Sequence, residues 1–149
     1  MHLQSVQIKD TPELQALQSF LERNKLPYKD IQLNNTLFLL YHDSAGNIVG
    51  SAGLEHYGDA ALLRSVAVNE SERGKKLGKQ IVEDVLARAR EAKIQSIFLL
   101  TETARDFFLK KGFLDISRDD VPSNIKASSE FSFVCPASAT CMVYIFDKK

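Results

Sequence analysis

The residues from 73 to 79 place two glycines among basic side chains, just before a segment with helical periodicity: Arg73, Gly74, Lys75, Lys76, Leu77, Gly78 and Lys79. Such a segment favours anion binding, because backbone N–H groups and the positive end of the helix dipole meet at a helix N-terminus. Glycine also lets a phosphate approach the main chain closely. Cations have the wrong sign for a helix N-terminus, so a bound anion explains them better than a solvated basic first turn does. The segment therefore predicts a pyrophosphate site, although its spacing differs from the nucleotide P-loop and the three-glycine dinucleotide pattern.

The composition is typical of one ordinary globular domain. The chain has 149 residues, of which 44% are hydrophobic, close to the roughly 150 residues of a single domain. Nineteen basic and nineteen acidic residues cancel, so the charge of a nucleic-acid or anionic-membrane binder is missing. Apolar runs such as 97–100 are far shorter than the roughly 20 residues of a membrane span. We expect no nucleic-acid or membrane partner, and a cytoplasmic protein, since the N-terminus has no charged region followed by an apolar core.

The sequence supports neither a metal site nor a disulfide scaffold. Cys135 and Cys141 are the two cysteines and only three histidines are present, which does not complete a zinc ligand set. Two cysteines are also too few for a secreted disulfide scaffold. No metal is predicted, and both cysteines are interpreted as buried structural residues.

Periodicity and turn residues predict the elements that position these groups. A weakly alternating strand covers 1–9, and Thr11 is expected to cap a helix that ends near residue 24, with Pro12 in its first turn. A hairpin joins strands at 36–42 and 48–56, and a third antiparallel strand follows at 61–68. Residues 25–35 stay open between a short helix and an irregular crossing.

The second half of the chain alternates helices and strands. Helix 75–93 presents one apolar face, formed by Leu77, Ile81, Val82, Val85, Leu86 and Ala89. Residues 96–101 are almost uniformly apolar, as in a central strand covered on both faces. A short helix at 103–111 and strands at 113–116 and 140–146 follow. The prediction is a single α+β domain over residues 1–149, with a mixed, mostly antiparallel central sheet and helices on both faces.

Two motifs in this order resemble the GNAT superfamily of acetyl-coenzyme A dependent N-acetyltransferases. Arg73, Gly74, Leu77 and Gly78 match the superfamily's pyrophosphate loop, while Lys76 stands where its central glycine is usual. Residues 101–113, with an alanine, aromatic residues and a final Gly-Phe, match its second signature. Parts of 98–142 also resemble acetyltransferases associated with arsenic-resistance operons and, more distantly, the acetyltransferase domains of N-acetylglutamate synthases.

The resemblance implies a GNAT-like sheet whose fourth and fifth strands splay apart around acetyl-coenzyme A. The pantetheine arm would pair with the main chain of Val66, Ala67 and Val68. Thr101 occupies a position where many members have an asparagine that contacts the cofactor. The cofactor-binding residues implied by the two motifs are Arg73, Gly74, Lys75, Lys76, Leu77, Gly78, Lys79, Thr101, Ala104, Phe107 and Phe108.

The same resemblance implies direct attack of a neutral amine on the thioester, through a tetrahedral intermediate whose oxyanion a backbone N–H stabilises. Such an amine needs a general base, for which Glu55 is the candidate and His56 the alternative. The competing interpretation of Glu55 is a solvated carboxylate at a hairpin end. Phe108 stands where many members have a tyrosine that protonates the departing thiolate, so water or another side chain would supply that proton.

Arg64 lies within an apolar strand, where a charged side chain is rarely buried without a partner. It either pairs with Glu55 or binds the carboxylate of a substrate through its two-pronged guanidinium. In the second case Glu55 would bind the ammonium group of the same substrate, a pairing that suits an α-amino acid. Arg118 and Glu130 are weaker candidates, because both lie in polar stretches.

The predicted function is transfer of an acetyl group to the primary amine of a small molecule, such as an amino acid or its analogue. Two alternatives stay open: a catalytically weak acyl-coenzyme A binding or sensing module, and an N-acetyltransferase that acts on proteins or peptides. A homodimer is also left open.

Overall fold

The computed structural model describes residues 3–26, 28–31, 36–69, 76–128 and 138–146. In chain order the elements are β1 (Gln4–Gln7), α1 (Thr11–Arg23), β2 (Thr36–His42), β3 (Ile48–Tyr57), β4 (Ala60–Val68), α2 (Leu77–Glu91), β5 (Ser96–Thr101), α3 (Arg105–Lys110), β6 (Leu114–Asp115), a 3-10 turn (Arg118–Asp120), α4 (Ser123–Lys126) and β7 (Thr140–Ile145). The predicted order of strands and longer helices is confirmed.

The strands of the described residues form one seven-stranded sheet in the order β1-β2-β3-β4-β5-β7-β6. Neighbouring strands are antiparallel except β4 and β5, which run parallel and pair only from Ala60 to Leu62 against Ser96 to Phe98. Beyond Leu62 no further β4–β5 pairing occurs within the described residues, so the two strands separate. The sheet is therefore mixed and mostly antiparallel, as predicted.

Helices cover both faces of this sheet. Residues of α1 pack with Phe38 and Leu40 on one face, while α2 packs with Leu39 and Leu54 on the other. Strand β5 lies between these layers, because Ile97 and Leu99 join the α2 side and Phe98 the opposite side. The predicted two-sided burial of this strand is confirmed.

Several predicted boundaries are wrong in detail, among them the start of α1 and both ends of α3 and β6. Helix α1 is capped by Asp10 and not by Thr11, since the Asp10 carboxylate accepts the Glu13 N–H at 2.9 Å. The short helix is limited to Arg105–Lys110 and the following strand to Leu114–Asp115. Local propensity alone does not set such ends, which depend on caps and on pairing with β7.

Residues 28–31 are irregular, so the part of the ambiguous 25–35 segment that the structure describes contains no helix. No helix in the described parts of the chain is long and apolar enough to span a membrane.

Candidate active site

The separation of β4 and β5 opens a cleft of about 580 Å³ that passes between the two strands. Its walls are the second half of β4, the end of β5, the segment leading into α3, and the end of α1. The lining residues are Asn24, Lys25, Leu26, Leu63, Arg64, Ser65, Val66, Ala67, Val68, Gly78, Leu99, Leu100, Thr101, Glu102, Thr103, Ala104, Phe107 and Phe108. The splayed strands implied by the family resemblance are therefore present.

A β-bulge shapes the β4 wall. Ser51 pairs with Ala67 and Gly53 with Arg64, so two residues of β4, Ser65 and Val66, stand opposite one residue of β3. Ser65 adopts a left-handed φ of 57°, and its carbonyl accepts a hydrogen bond from the Ser51 hydroxyl at 2.7 Å. The extra residue reverses which side chains face α2, as bulges do.

The first turn of α2 borders the cleft at Gly78. A Cβ built on Gly78 would lie 3.4 Å from the Phe107 ring, so α2 and α3 approach each other closely here. Lys76 immediately precedes α2 with a left-handed φ of 65° and makes no side-chain cap. Lys76 and Lys79 are exposed, whereas Leu77 is buried in the core. The predicted residues Arg73, Gly74 and Lys75 lie outside the described residues.

The other wall contains the residues of the second motif. Thr101 Oγ1 accepts the Ala104 N–H at 3.0 Å and so closes the turn into α3. Phe108 is buried with its ring edge-to-face against Phe107 at 5.1 Å and Phe113 at 5.4 Å. The cleft surface near Phe108 is thus aromatic and lacks a phenolic hydroxyl among its described lining residues.

Arg64 is almost fully buried at the end of the cleft nearest α1, with 3% of its surface exposed. Its guanidinium forms a two-pronged ion pair with Asp30, at 2.7 and 2.8 Å, and a longer contact of 3.4 Å with Glu55. Its Nε donates to the Ser65 hydroxyl at 3.2 Å. The ion pair with Glu55 considered from the sequence is present, whereas Asp30 gave no signal in the sequence.

Glu55 lies beside this arginine on β3 and is not among the residues that line the cleft directly. Its carboxylate also accepts a hydrogen bond from the Tyr57 hydroxyl at 3.2 Å. Burial, together with the negative charge of Glu55, raises the pKa of Tyr57 to about 12. His56, the alternative base, is half-buried on the same strand.

Sequence reasoning missed the contribution of the α1 end to the cleft. Asn24, Lys25 and Leu26 lie at this end, where Lys25 has a left-handed φ of 61°. The left-handed residue follows a helix C-cap, a position that glycine often marks. Since a lysine occupies it, the sequence carried no such signal.

Two further candidates, Arg118 and Cys141, do not line the cleft. Arg118 donates to the Ala139 carbonyl at 3.0 Å, and Cys141 is buried, as predicted, with burial raising the pKa of its thiol. Glu130 and Cys135 lie outside the described residues. Among the residues that the structure describes, no cluster of His, Cys, Asp or Glu could hold a metal ion.

Residues 34–114, more than half of the chain, match the acetyltransferase (GNAT) domain family. The chain belongs to the GNAT acetyltransferase family. An amino-acid acetyltransferase of Mycobacterium tuberculosis is 31% identical over 122 residues, covering 79% of this chain and 67% of that protein. One from Ralstonia nicotianae is 31% identical over 88 residues, covering 58% of this chain but 19% of that protein.

Solved structures agree on the GNAT fold. N-acetylglutamate synthase from Neisseria gonorrhoeae, complexed with coenzyme A and N-acetyl-glutamate, has a TM-score of 0.78 at 18% identity, over 99% of this chain and 36% of its own. A GNAT acetyltransferase from Staphylococcus aureus has a TM-score of 0.71 at 22% identity, over 97% of this chain and 99% of its own. The family match confirms the resemblance drawn from the two motifs. GNAT acetyltransferases use acetyl-coenzyme A, the predicted cofactor. The arsenic-resistance resemblance stays a prediction.

Proposed function

We propose that this GNAT domain, extending over residues 1–149, transfers the acetyl group of acetyl-coenzyme A to the primary amine of a small molecule, an amino acid or its analogue. The observation that carries the proposal is the cleft between the separated strands β4 and β5. The amino-acid class is supported by the relatives named amino-acid acetyltransferase.

The cofactor half of the cleft lies toward α2 and α3. The N-terminus of α2, with Lys76 and Lys79, offers backbone N–H groups and positive charge for the pyrophosphate. The pantetheine arm would then follow the β4 wall at Val66, Ala67 and Val68, opposite Ala104 and the Phe107 ring. The thioester would reach the bulge at Ser65 and Val66, which have no register partner on β3, and a backbone N–H there would polarise its carbonyl.

The acceptor would enter from the α1 end, where Asp30, Arg64 and Glu55 lie together. A neutral amine attacks the carbonyl carbon, the carbon–sulfur bond breaks, and the sulfur leaves as a thiolate. Glu55 accepts the amine proton through an intervening water, because its carboxylate lies behind Arg64 and not on the cleft surface. Water protonates the thiolate, since Phe108 carries no acidic proton.

The test is a thiol-release assay with acetyl-coenzyme A and a panel of amino acids, polyamines, aminoglycosides and peptides. The proposal expects amine-dependent release of free coenzyme A and an acetylated amino acid detectable by mass spectrometry. Tight coenzyme A binding without turnover on any amine would instead support a binding or sensing module. This alternative is favoured by Phe108, which stands where many GNAT members have a proton-donating tyrosine. Turnover on peptides alone would contradict the small-molecule acceptor.

The base is tested by Glu55→Gln, which keeps the shape of the side chain. We expect kcat to fall most at low pH, where the free amine is scarce. His56→Gln is the comparison variant on the same strand. A larger loss in His56→Gln than in Glu55→Gln would assign the base to the histidine.

A further inference from the structure

Arg64 joins three separate segments at the acceptor end of the cleft. Its guanidinium holds both carboxylate oxygens of Asp30, at 2.7 and 2.8 Å, and contacts Glu55 on β3. The same side chain donates from Nε to the hydroxyl of Ser65 at 3.2 Å. We refer to Arg64, Asp30, Glu55 and Ser65 as the Arg64 clamp. A planar guanidinium makes this set of bonds, whereas an ammonium does not offer the fork.

The Arg64 clamp includes Ser65, whose backbone conformation is strained. Ser65 has a φ of 57°, which costs free energy for any residue with a side chain. Such a conformation persists only where the surrounding structure holds it. Two hydrogen bonds do so here: Ser51 donates to the Ser65 carbonyl at 2.7 Å, and Arg64 donates to the Ser65 hydroxyl.

The arginine stem is itself held in place over β3. Gly53 lies opposite Arg64, and a Cβ at Gly53 would stand 3.3 Å from the arginine Cγ and 2.6 Å from the Phe38 ring. The side chain of Arg64 is 1% exposed. Because Gly53 has no Cβ, the aliphatic part of the Arg64 side chain can lie against the backbone of β3. This contact fixes where the guanidinium meets Asp30 and Ser65.

We propose that Arg64 is a positioning residue for acetyl transfer, rather than a direct anchor for the acceptor. Its clamp holds the bulge at Ser65 and Val66 in the conformation that faces the thioester. The ion pair between Arg64 and Asp30 also joins the segment after α1 to β4. The distance between these two walls of the cleft therefore stays fixed where the acceptor would bind. This inference rests on the proposed function, because the bulge matters only if the cleft performs the transfer.

Arg64→Lys tests the clamp, because lysine keeps the charge but loses the fork and the Nε donor. The control is Arg88→Lys on α2. Arg88 has the same kinds of partner, the Asp84 carboxylate at 3.0 Å and the Ser5 hydroxyl at 2.8 Å, but it does not line the cleft. The Arg64 side chain is 1% exposed and that of Arg88 35%, so the free energy of unfolding of both variants is measured as well, which separates a loss of stability from a loss of kcat.

We expect Arg64→Lys to lower kcat by about tenfold to a hundredfold, the size of effect that a small misplacement of reacting groups causes. The dissociation constant of coenzyme A should rise far less than kcat falls, by about threefold at most, since the proposed pyrophosphate contacts at α2 are independent of the clamp and only the pantetheine contact at Val66 would shift. Arg88→Lys should change neither constant. A kcat for Arg64→Lys within about twofold of wild type, or an equal loss in Arg88→Lys, would overturn the proposal.

An activity-independent readout separates this inference from the proposed function. In amide spectra of the unliganded protein, Arg64→Lys should displace the Ser65 and Val66 resonances and speed their hydrogen exchange, while Arg88→Lys should not. If wild type acetylates no amine, the proposed function fails, and unchanged Ser65 and Val66 amides would separately refute the clamp. Should Arg64→Lys not fold, Asp30→Asn, which removes one carboxylate oxygen from the clamp, is judged by the same measurements.

Discussion

The ring of Phe107 lies against the backbone of Gly78, so that a Cβ at residue 78 would stand 3.4 Å from the ring. This contact brings the first turn of α2 to the aromatic wall of the cleft. It leaves room for a methyl group, because 3.4 Å is an ordinary van der Waals separation between carbon atoms.

A substitution series at Gly78 follows from that contact. Gly78→Ala should fold and bind coenzyme A within about threefold of wild type, since its Cβ clashes with nothing. Gly78→Asp should fold but lose coenzyme A affinity by about tenfold or more, because a carboxylate there repels the pyrophosphate. Calorimetry measures both affinities. Unchanged binding of coenzyme A by Gly78→Asp would contradict the assignment of the pyrophosphate to the N-terminus of α2.

Lys76 is a second position where backbone conformation makes a prediction. Its φ of 65° is one that glycine adopts without penalty, whereas a left-handed residue with a Cβ costs about 1–2 kcal/mol. After allowing for the flexibility of glycine in the unfolded chain, Lys76→Gly should raise the free energy of unfolding by up to about 1 kcal/mol. Urea denaturation measures this change.

The matched control is Lys79→Gly, in the helical part of α2. The same chemical change should lower stability there by up to about 1 kcal/mol, because glycine is a poor helix residue. A loss of stability in both variants would contradict the importance of the left-handed φ at Lys76.

Phe108 is expected to pack and not to transfer protons. Phe108→Leu should lower stability by about 1–2 kcal/mol, because two edge-to-face ring contacts are lost, while kcat stays within about threefold. Phe108→Tyr should fold and raise kcat, since the phenol would supply a proton to the departing thiolate. A loss of turnover above about tenfold in Phe108→Leu, with coenzyme A affinity unchanged, is the result that would exclude a packing role.

Two phenols, the buried Tyr41 and the half-buried Tyr57, predict loss of stability at alkaline pH. Burial raises the pKa of Tyr57 to about 12, and burial with the Asp84 hydrogen bond raises that of Tyr41 well above its usual value. Unfolded tyrosines lose their protons near pH 10, so the stabilisation is complete below that pH and is lost as pH rises toward 12. Each phenol steepens the decline by at most about 1.4 kcal/mol per pH unit.

Urea midpoints measured between about pH 9 and pH 11 test this dependence. Tyr57→Phe removes one titrating group and should make the decline shallower than in wild type. An unchanged slope in Tyr57→Phe would mean that this phenol does not titrate on unfolding in that range.

The order of elements was predictable because its signals are local. Helical spacing from Leu77 to Ala89 and the apolar run at 96–101 each report burial within one segment. The two motifs likewise lie in continuous stretches, so they predicted residues that the structure brings together in one cleft. Eight of the predicted cofactor residues line the cleft: Val66, Ala67, Val68, Gly78, Thr101, Ala104, Phe107 and Phe108.

The α1 end of the cleft, where we propose that the acceptor binds, depended on contacts between distant segments. Asp30 and Arg64 are 34 positions apart, and no periodicity or motif marks either as the partner of the other. The bulge at Ser65 arises from its register against Ser51 and from the Arg64 hydrogen bond, neither of which short-range propensity encodes. By itself the sequence determined the family and the sheet, and it predicted eight residues that line the cleft. The tertiary structure decided which charges meet at the other end, because ion-pair partners are chosen by packing across segments and not by spacing along the chain.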